Sequence, residues 1–340
     1  MDKVTYFVGL DYHQGSVQVC VMERGGEILT NGSRGNSWEE VAAVVTHLDP
    51  KASVEAAIES CSGAANLAEE LVMRAGWSVS LAHPGYVSRM KQTPDKTDWQ
   101  DSRVLADLVR VGYLPRVWLA PREIRELRKL VRFRQQLAAQ RRTAKQRIRA
   151  LLHEERIKPS VNAKPWTKAW LAWLETTPEL GAHSRWVLTR HLEELDRLKR
   201  ELAVVEARMA EVTADDRLVQ RLLQEKGVGV VTACTLRAEI GRFDRFRNGK
   251  QLARFCGTSP RNASSGAKQA DAGLIKASNP ELRRVVIETA HRLMMFNDRW
   301  HELGQSLRQR GKAGSLVAAA VANRWLRWLH PQMISFHTAT

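Results

Sequence analysis

Cysteine is scarce and scattered in this chain: four in 340 residues, Cys20, Cys61, Cys234 and Cys256. They form no Cys-x-x-Cys pair, so neither a zinc ribbon nor a disulfide framework is indicated, and reduced, buried thiols are expected. None of the 10 histidines has a partner at i+4, which removes support for a histidine-based metal site. A run of about eighteen apolar residues is also missing. The longest candidate, SLVAAAVANRWLRWL, meets Asn323 and Arg324 too early to cross a bilayer. The opening MDKVTYFVGLDYH runs straight into strand-like sequence without a signal-peptide pattern, so a cytoplasmic location and no membrane partner are expected. Acidic residues are outnumbered, 37 Asp plus Glu against 53 Lys plus Arg, for a net charge of +16. Such an excess favours a polyanionic partner, most often nucleic acid.

What is there falls into three zones. Residues 1–115 read as α/β. TYFVGLDYH and SVQVCVME are β-branched runs joined by a tight turn at Gln14 and Gly15, and GGEILTNGS supplies a third strand. SVEAAIES gives another strand ending at Glu59, AANLAEELVMRAG an amphipathic helix closed by Gly76, and WSVSLAHP a fifth strand. Residues 116–215 read as helical. Ile124, Leu127 and Val131, then Ala144, Ile148 and Leu151, recur at spacings of three and four, and Leu192, Leu195, Leu202, Met209 and Val212 repeat the pattern. Two long helices, as an antiparallel coiled coil, fit best. Between residues 121 and 158 stand thirteen Lys or Arg and four Glu, a local net of +9 that points to phosphate-backbone contact over a merely solvated face. Trp166, Trp170 and Trp173, at i, i+4 and i+7, read as a packing stripe in preference to a base-stacking platform.

Residues 216–340 read as a second, mostly helical globular unit. RLLQEKGVGVVTACTLRAEIG has the form of two short helices around a Gly-Val-Gly turn, a helix-hairpin-helix-like segment whose backbone amides can hold a DNA phosphate. A polar loop, FCGTSPRNASSGAKQADAGLIKASNPELRR, follows, and long polar loops inside a globular unit are usually functional. Helix resumes after Asn279, an N-cap followed by Pro280.

The chemistry concentrates on acids. Asp98 and Asp101, three apart in TDWQDSRVLADLVR, project from one side of a helix, either as two solvated acids or as ligands sharing a hard cation. Asp11 ends an apolar first strand and Glu59 ends another, where a carboxylate is costly without compensation. Four acids so placed suit one or two Mg²⁺ ions, which take oxygen ligands and keep open positions for water and phosphate.

GLDYH around Asp11, IESCSG around Glu59 and KTDWQDSRVLA around Asp98 and Asp101 resemble the Asp-Glu-Asp-Asp signature of the RuvC-like (RNase H fold) domain of the one-ten family of bacterial insertion-sequence transposases, related to the Piv invertases. GTSPRNASSGAKQADAGLIKASNPELRRVV resembles that family's second signature: a Gly-x-x-Pro loop, Ser-Gly, Ile-x-Lys and Leu-Arg-Arg. The resemblance runs over nearly the whole chain. It implies a DNA recombinase in which Asp11, Glu59, Asp98 and Asp101 hold Mg²⁺ and Ser265, directly before Gly266, attacks the DNA phosphate, with Ser264 as the alternative nucleophile. A metal near a hydroxyl polarises the phosphate and favours the alkoxide. A phosphoserine link would conserve the energy of the phosphodiester for rejoining.

The resemblance further implies a bridge-type guide RNA, double-stranded donor and target DNA, and assembly as a dimer to tetramer. Arg125, Arg128, Arg132, Arg141, Arg142, Arg261, Lys268, Lys276, Arg283 and Arg284 are the candidate phosphate contacts. Two positions depart from the family pattern: Ser102 stands where alanine is common, and Gly257-Thr258-Ser259-Pro260 replaces Gly-Leu-x-Pro, losing an apolar anchor for the loop. Lys96 and Lys276 are retained. Two other readings remain: a hydrolytic RuvC-like junction or RNA-DNA nuclease using water as nucleophile, and a non-catalytic nucleic-acid scaffold.

Overall fold

The computed structural model describes residues 4–90, 97–158, 164–177, 179–262 and 271–338. The chain divides into two compact units, Met1–Pro121 and Arg122–Thr340.

Unit 1 opens on a meander of β1 (Tyr6–Tyr12), β2 (Ser16–Glu23) and β3 (Ile28–Gly35), continues with α1 (Trp38–Leu48), β4 (Val54–Glu59), α2 (Ala64–Ala75) and β5 (Ser78–Ala82), and ends with α3 (Pro84–Met90), α4 (Asp98–Arg110) and the two-residue β6 (Arg116–Val117). The strands form one mixed sheet, β3-β2-β1-β4-β5-β6, in which β1, β4 and β5 are parallel and the other neighbours antiparallel. The short β6 and the helices α1 and α3 are additions to the elements read from sequence. α1 had a legible start: Ser37 accepts from Glu40 N, and Glu40 Oε2 accepts from Gly35 N at 2.8 Å, a close variant of the capping box.

Alternation along the strands divides the core of unit 1. Val8 and Leu10 of β1 and Ile58 of β4 pack with Val41 and Val45 of α1 and Leu67 and Leu71 of α2. Phe7 and Ala57 face the other way, against Leu105 and Val109 of α4. Each of these buried Val, Leu, Ile and Phe side chains contributes about 1.5–3 kcal/mol relative to exposure. The register is therefore fixed, since a one-residue slip would turn Asp11 into the wrong layer.

Unit 2 begins with α5 (Arg122–Glu154), α6 (Lys168–Thr176) and α7 (Ala182–Val212). Leu127 and Val131 share a cluster with Met209, Leu137 and Ala138 with Leu198, Leu202 and Val205, and Ile148 and Leu152 with Leu188. The order reverses along the partner, so α5 and α7 lie antiparallel and use their apolar seam within one chain. Trp170 is buried beside Trp166 and Trp173, at centroid distances of 4.6 and 6.1 Å, so the tryptophans are packing residues.

The remainder of unit 2 comprises α8 (Arg217–Leu223), α9 (Val230–Ile240), α10 (Gly249–Phe255), a hairpin of β7 (Pro260–Asn262) and β8 (Asp271–Leu274), α11 (Pro280–Phe296), α12 (Asp298–Gln309) and α13 (Gly314–Thr338). Asn279 caps α11 as expected, its Oδ1 accepting from Glu281 N and Leu282 N. Val317, Val321, Trp325 and Leu329 of α13 are fully buried in the unit's core. Among the described residues no helix is long and apolar enough to cross a membrane. The Gly-Val-Gly turn between α8 and α9 has a packing role: at Gly227, with φ 97°, a Cβ would come within 3.1 Å of Leu293 N on α11. The amide of Val228 is spent on Glu225 O.

Candidate functional site

Asp11 lies two residues beyond Gly9 on β1, on the same face of the strand. α4 crosses that face so closely that a Cβ on Gly9 would stand 1.8 Å from Ser102 O and 2.5 Å from Ala106 N. Only glycine admits this approach, and it brings the first turn of α4, with Asp98 and Asp101, over Asp11. Glu59 joins from β4, two residues past Ala57, which pairs with Gly9. Burial raises the pKa of the Asp11 carboxyl above the usual carboxylate value of 3.8, His13 opposes the rise, and Asp101, Asp98 and Glu59 add to it. Asp98, Asp101 and Glu59 thus each act on Asp11 electrostatically, and among the described residues Asp11 and Asp98, with His13, bring donor atoms within 4.8 Å of one another, a group that Glu59 and Asp101 do not join. Asp101 is buried, whereas 58% of the Asp98 side chain is exposed, so the cluster opens to solvent. Carboxylate oxygens in excess, partly desolvated and open on one side, fit a hard divalent cation with room for water or phosphate.

Several contacts hold the first turn of α4 in place. Thr97 caps it, with Oγ1 accepting from Gln100 N, and the helix dipole favours acids in this turn. Asn31 Nδ2 on β3 donates to Trp99 O at 2.9 Å, while Asn31 Oδ1 accepts from Gln18 Nε2 at 2.8 Å and Ser102 Oγ at 3.2 Å. Ser102 is completely buried, so its hydroxyl adds a polar tie that alanine would lack. Gly63, in the IESCSG motif, has φ 94°, and a Cβ there would lie 2.2 Å from Tyr12 Oη, which locks the loop after Glu59 against the end of β1. In that loop, two residues past Glu59 at the end of β4, Cys61 is exposed, contrary to the expectation of four buried thiols. Its thiol pKa is raised by burial of the sulfur, with Glu59 and Asp11 adding to the rise and the Ala64 amide opposing it.

Sequence reading passed over His13. Its Nε2 stands 3.4 Å from Asp11 Oδ2 and 3.3 Å from Asp98 Oδ2. A lone histidine after a strand carries no spacing signal; only the β1–β2 turn returns it to the acids.

In unit 2, Ser264, Ser265, Gly266 and Lys268 lie outside the described residues, as does Lys96 in unit 1. The roots of the serine loop are described. Gly257, φ 70°, sits against Ser278 Oγ and Arg283 Nε, which a Cβ would approach to 2.1 and 2.7 Å. Arg283 Nη2 donates to Ser278 Oγ at 2.8 Å. Thr258 is buried and its hydroxyl donates to Ala253 O at 3.0 Å, while Asn323 Nδ2 donates to Thr258 O at 3.2 Å. The apolar anchor missing from Gly-Thr-Ser-Pro is replaced by hydrogen bonds.

The candidate phosphate contacts separate into two groups. Arg128 Nε donates to Ala238 O at 2.6 Å, Arg132 pairs with the buried Glu239 at 3.4 Å, and Arg284 is held by Glu281 and Glu288 at 2.7 and 2.8 Å. These are engaged in holding helices. Arg261 and Lys276 are exposed beside the loop, and Arg125 is half-buried near the start of α5. Farther along α5 no acid occurs between Glu126 and Glu154. There Arg141, Arg142, Lys145, Arg147 and Arg149 have no carboxylate partner among the described residues, and Lys145 and Arg149 lie over the Trp166 ring at 4.6 and 5.4 Å. Burial and the neighbouring Arg141 and Arg149 lower the pKa of Lys145.

Two family models match the chain in succession: a DEDD transposase model over residues 8–156, and one described as "Transposase IS116/IS110/IS902 family" over residues 219–305. The transposase for insertion sequence element IS1328 of Yersinia enterocolitica is 27% identical over 96% of this chain and 96% of its own length. The transposase for insertion sequence element IS1111A of Coxiella burnetii is 24% identical over 94% of this chain and 88% of its own length. A Sinorhizobium fredii protein, y4qE, also named as a transposase, is 28% identical over 65% of this chain, a match spanning only 54% of that relative's length. With the acids on one sheet face, the serine-loop roots in unit 2 and both domain models in order, the chain belongs to the IS110 family of insertion-sequence transposases.

Proposed function

We propose that this chain is a serine recombinase of its element, directed by a bridge-type guide RNA, that cleaves and exchanges donor and target DNA with the help of Mg²⁺. The observation that carries the metal half is the approach of Asp11 and Asp98 beside β1, with Asp101 and Glu59 near enough for each to raise the proton affinity of Asp11. The strand order β3-β2-β1-β4-β5, antiparallel across β3-β2-β1 and parallel across β1-β4-β5, supports an RNase H-like reading of unit 1. Mg²⁺ held by these four residues would polarise the scissile phosphate and stabilise the charge that develops on it.

Ser265 is the proposed nucleophile. Its Oγ forms a bond to phosphorus as the bond from phosphorus to one deoxyribose oxygen breaks; the serine proton passes to solvent and the departing oxygen takes one up. One phosphodiester is exchanged for another phosphate ester, so the reverse attack by a new DNA hydroxyl rejoins strands without an external energy source. The free cations of α5, with Arg261 and Lys276, would hold nucleic-acid phosphates. Guide RNA, donor and target duplexes and a homo-oligomer of two to four subunits are proposed on the family resemblance.

The test is trapping of a covalent protein–DNA adduct with the guide RNA and both DNA sites supplied. Ser265→Ala is expected to abolish the adduct and Ser264→Ala to retain it. An adduct that survives in Ser265→Ala transfers the role to Ser264, and nicked DNA with free ends and no trapped protein replaces the recombinase reading with a hydrolytic nuclease.

A further inference from the structure

We infer that His13 is a nitrogen ligand of the divalent-metal site in unit 1, making that site a mixed nitrogen and oxygen centre that favours Mn²⁺ and later transition ions over Mg²⁺. The inference rests on the proposal that the acidic cluster holds a metal and adds to it a residue outside the four acids.

The geometry is the first support. His13 Nε2 is 3.4 Å from Asp11 Oδ2 and 3.3 Å from Asp98 Oδ2, and one donor atom from each residue lies within 4.8 Å of the others. Adjacent ligands around an octahedral ion at about 2.1 Å stand about 3 Å apart, so the three groups already approach one shared coordination sphere. An ion at their centre needs only small side-chain movements.

The second support is that His13 is held at its backbone. Its N–H donates to Ser16 O at 2.9 Å, and its carbonyl accepts from Asn36 Nδ2 at 3.0 Å. Asn36 also donates to Gln14 O at 3.1 Å, so the β1–β2 turn is fixed to the end of β3. Such pre-organisation is what a ligand position requires.

A plain ion pair accounts poorly for the arrangement. The His13 and Asp98 side chains are 47% and 58% exposed, and exposed pairs contribute little to stability. Asp11 also stands in the field of Asp101, Asp98 and Glu59, which the His13 contact alone opposes only in part; a divalent cation offsets that field and uses the imidazole as a neutral donor. Nitrogen donors suit first-row transition ions better than Mg²⁺, so His13 shifts selectivity as well as affinity.

The experiment uses the full chain, stripped of metal and titrated with Mn²⁺ alone. Bound Mn²⁺ is read by electron spin-echo envelope modulation, comparing ¹⁴N-histidine with ¹⁵N-histidine protein. Histidine nitrogen coupling in the wild type that disappears in His13→Ala supports the assignment. In that variant Mn²⁺ affinity is expected to fall on the order of tenfold or more, with a smaller loss for Mg²⁺ in a parallel calorimetric titration. Mn²⁺ that is bound in an Asp11-dependent manner without nitrogen coupling, or coupling that persists in His13→Ala, overturns the role of His13 and leaves the acidic metal site standing. Mn²⁺ binding that is absent, or unchanged in Asp11→Asn and Asp98→Asn, overturns both. Far-ultraviolet dichroism and a melting curve matching the wild type confirm that His13→Ala is folded, and His13→Gln, which keeps an oxygen donor but no imidazole, gives an independent reading of nitrogen loss.

Discussion

Gly9 and Ser102 are in contact across two secondary-structure layers: the space a Cβ on Gly9 would fill is taken by the Ser102 carbonyl oxygen, 1.8 Å away. Gly9→Ala must therefore lift α4 from β1 and move Asp98 and Asp101 away from Asp11. Overpacking of a close contact costs about 1–3 kcal/mol, and the backbone atoms met here cannot swing aside as a side chain would. The expected outcome is a lower midpoint in urea unfolding together with loss of divalent-metal binding by calorimetry. Metal affinity equal to that of the wild type would show that the position of α4 does not control the site.

Asp11 illustrates a site that trades stability for chemistry. Its carboxyl holds its proton more tightly in the folded chain than in the unfolded one. In the apo protein the contribution of this one group to stability therefore improves as pH falls through the raised folded value, levels off below the unfolded value near 3.8, and is a full cost above the folded value. Asp11→Asn removes that cost. Near neutral pH the metal-free variant is expected to melt at a higher temperature than the metal-free wild type, with the gap closing as the pH is lowered, while it fails to retain metal. Melting curves across pH, with chelator present, check the sign.

Cys61 is the accessible thiol. Cys20, Cys234 and Cys256 are buried, and burial pushes the Cys20 thiol up to about 11. Native protein treated briefly with iodoacetamide is expected to gain one adduct by mass spectrometry, at Cys61, and four after denaturation. Occupation of the acidic cluster by a cation would offset the field of Glu59 and Asp11 and speed the native reaction.

Arg141, Arg142, Lys145, Arg147 and Arg149, without carboxylate partners among the described residues, are expected to set the salt dependence of nucleic-acid binding. Arg141, Lys145 and Arg149 lie on one side of the helix and span about 12 Å. Replacing all three by alanine should flatten the plot of log affinity against log salt by about 2–3 for duplex DNA, near 0.9 for each phosphate no longer neutralised. Arg128→Ala and Arg132→Ala should act differently, lowering thermal stability with less effect on that slope, since these side chains serve Ala238 O and Glu239. Fluorescence anisotropy over a salt series separates the two groups.

Asp216 joins two helices in unit 2. Its Oδ1 accepts from Leu218 N and Val219 N at 3.0 Å as the cap of α8, and its Oδ2 accepts from Arg237 Nε of α9 at 2.6 Å. Asp216→Ala loses the cap, worth about 1 kcal/mol, and leaves a mostly buried guanidinium short of its partner. A total loss of about 2 kcal/mol in denaturant unfolding is expected.

The residues that declared themselves in the sequence did so through local physics. Alternating apolar residues announced β1 and β2; apolar spacings of three and four announced α5 and α7; Asp11 and Glu59 were conspicuous because a carboxylate ending an apolar strand is costly without compensation, and Asp98 and Asp101 because they share one side of a helix. Cooperation over distance was not legible. Gly9 looked like any strand glycine until α4 lay on it, His13 needed the β1–β2 turn to reach Asp11 and Asp98, and the arginines of α5 were indistinguishable before Ala238 and Glu239 engaged Arg128 and Arg132. Short elements such as β6 and the β7–β8 hairpin lacked the length to form a period.

By itself, then, the sequence determined element types, the basic character and the chemical identity of the acids, since propensity, charge and alternation act between near neighbours. Which acids share a site, which cations stay free and which histidine faces the carboxylates were decided by tertiary packing, because those outcomes depend on backbones separated by tens of residues approaching to contact distance.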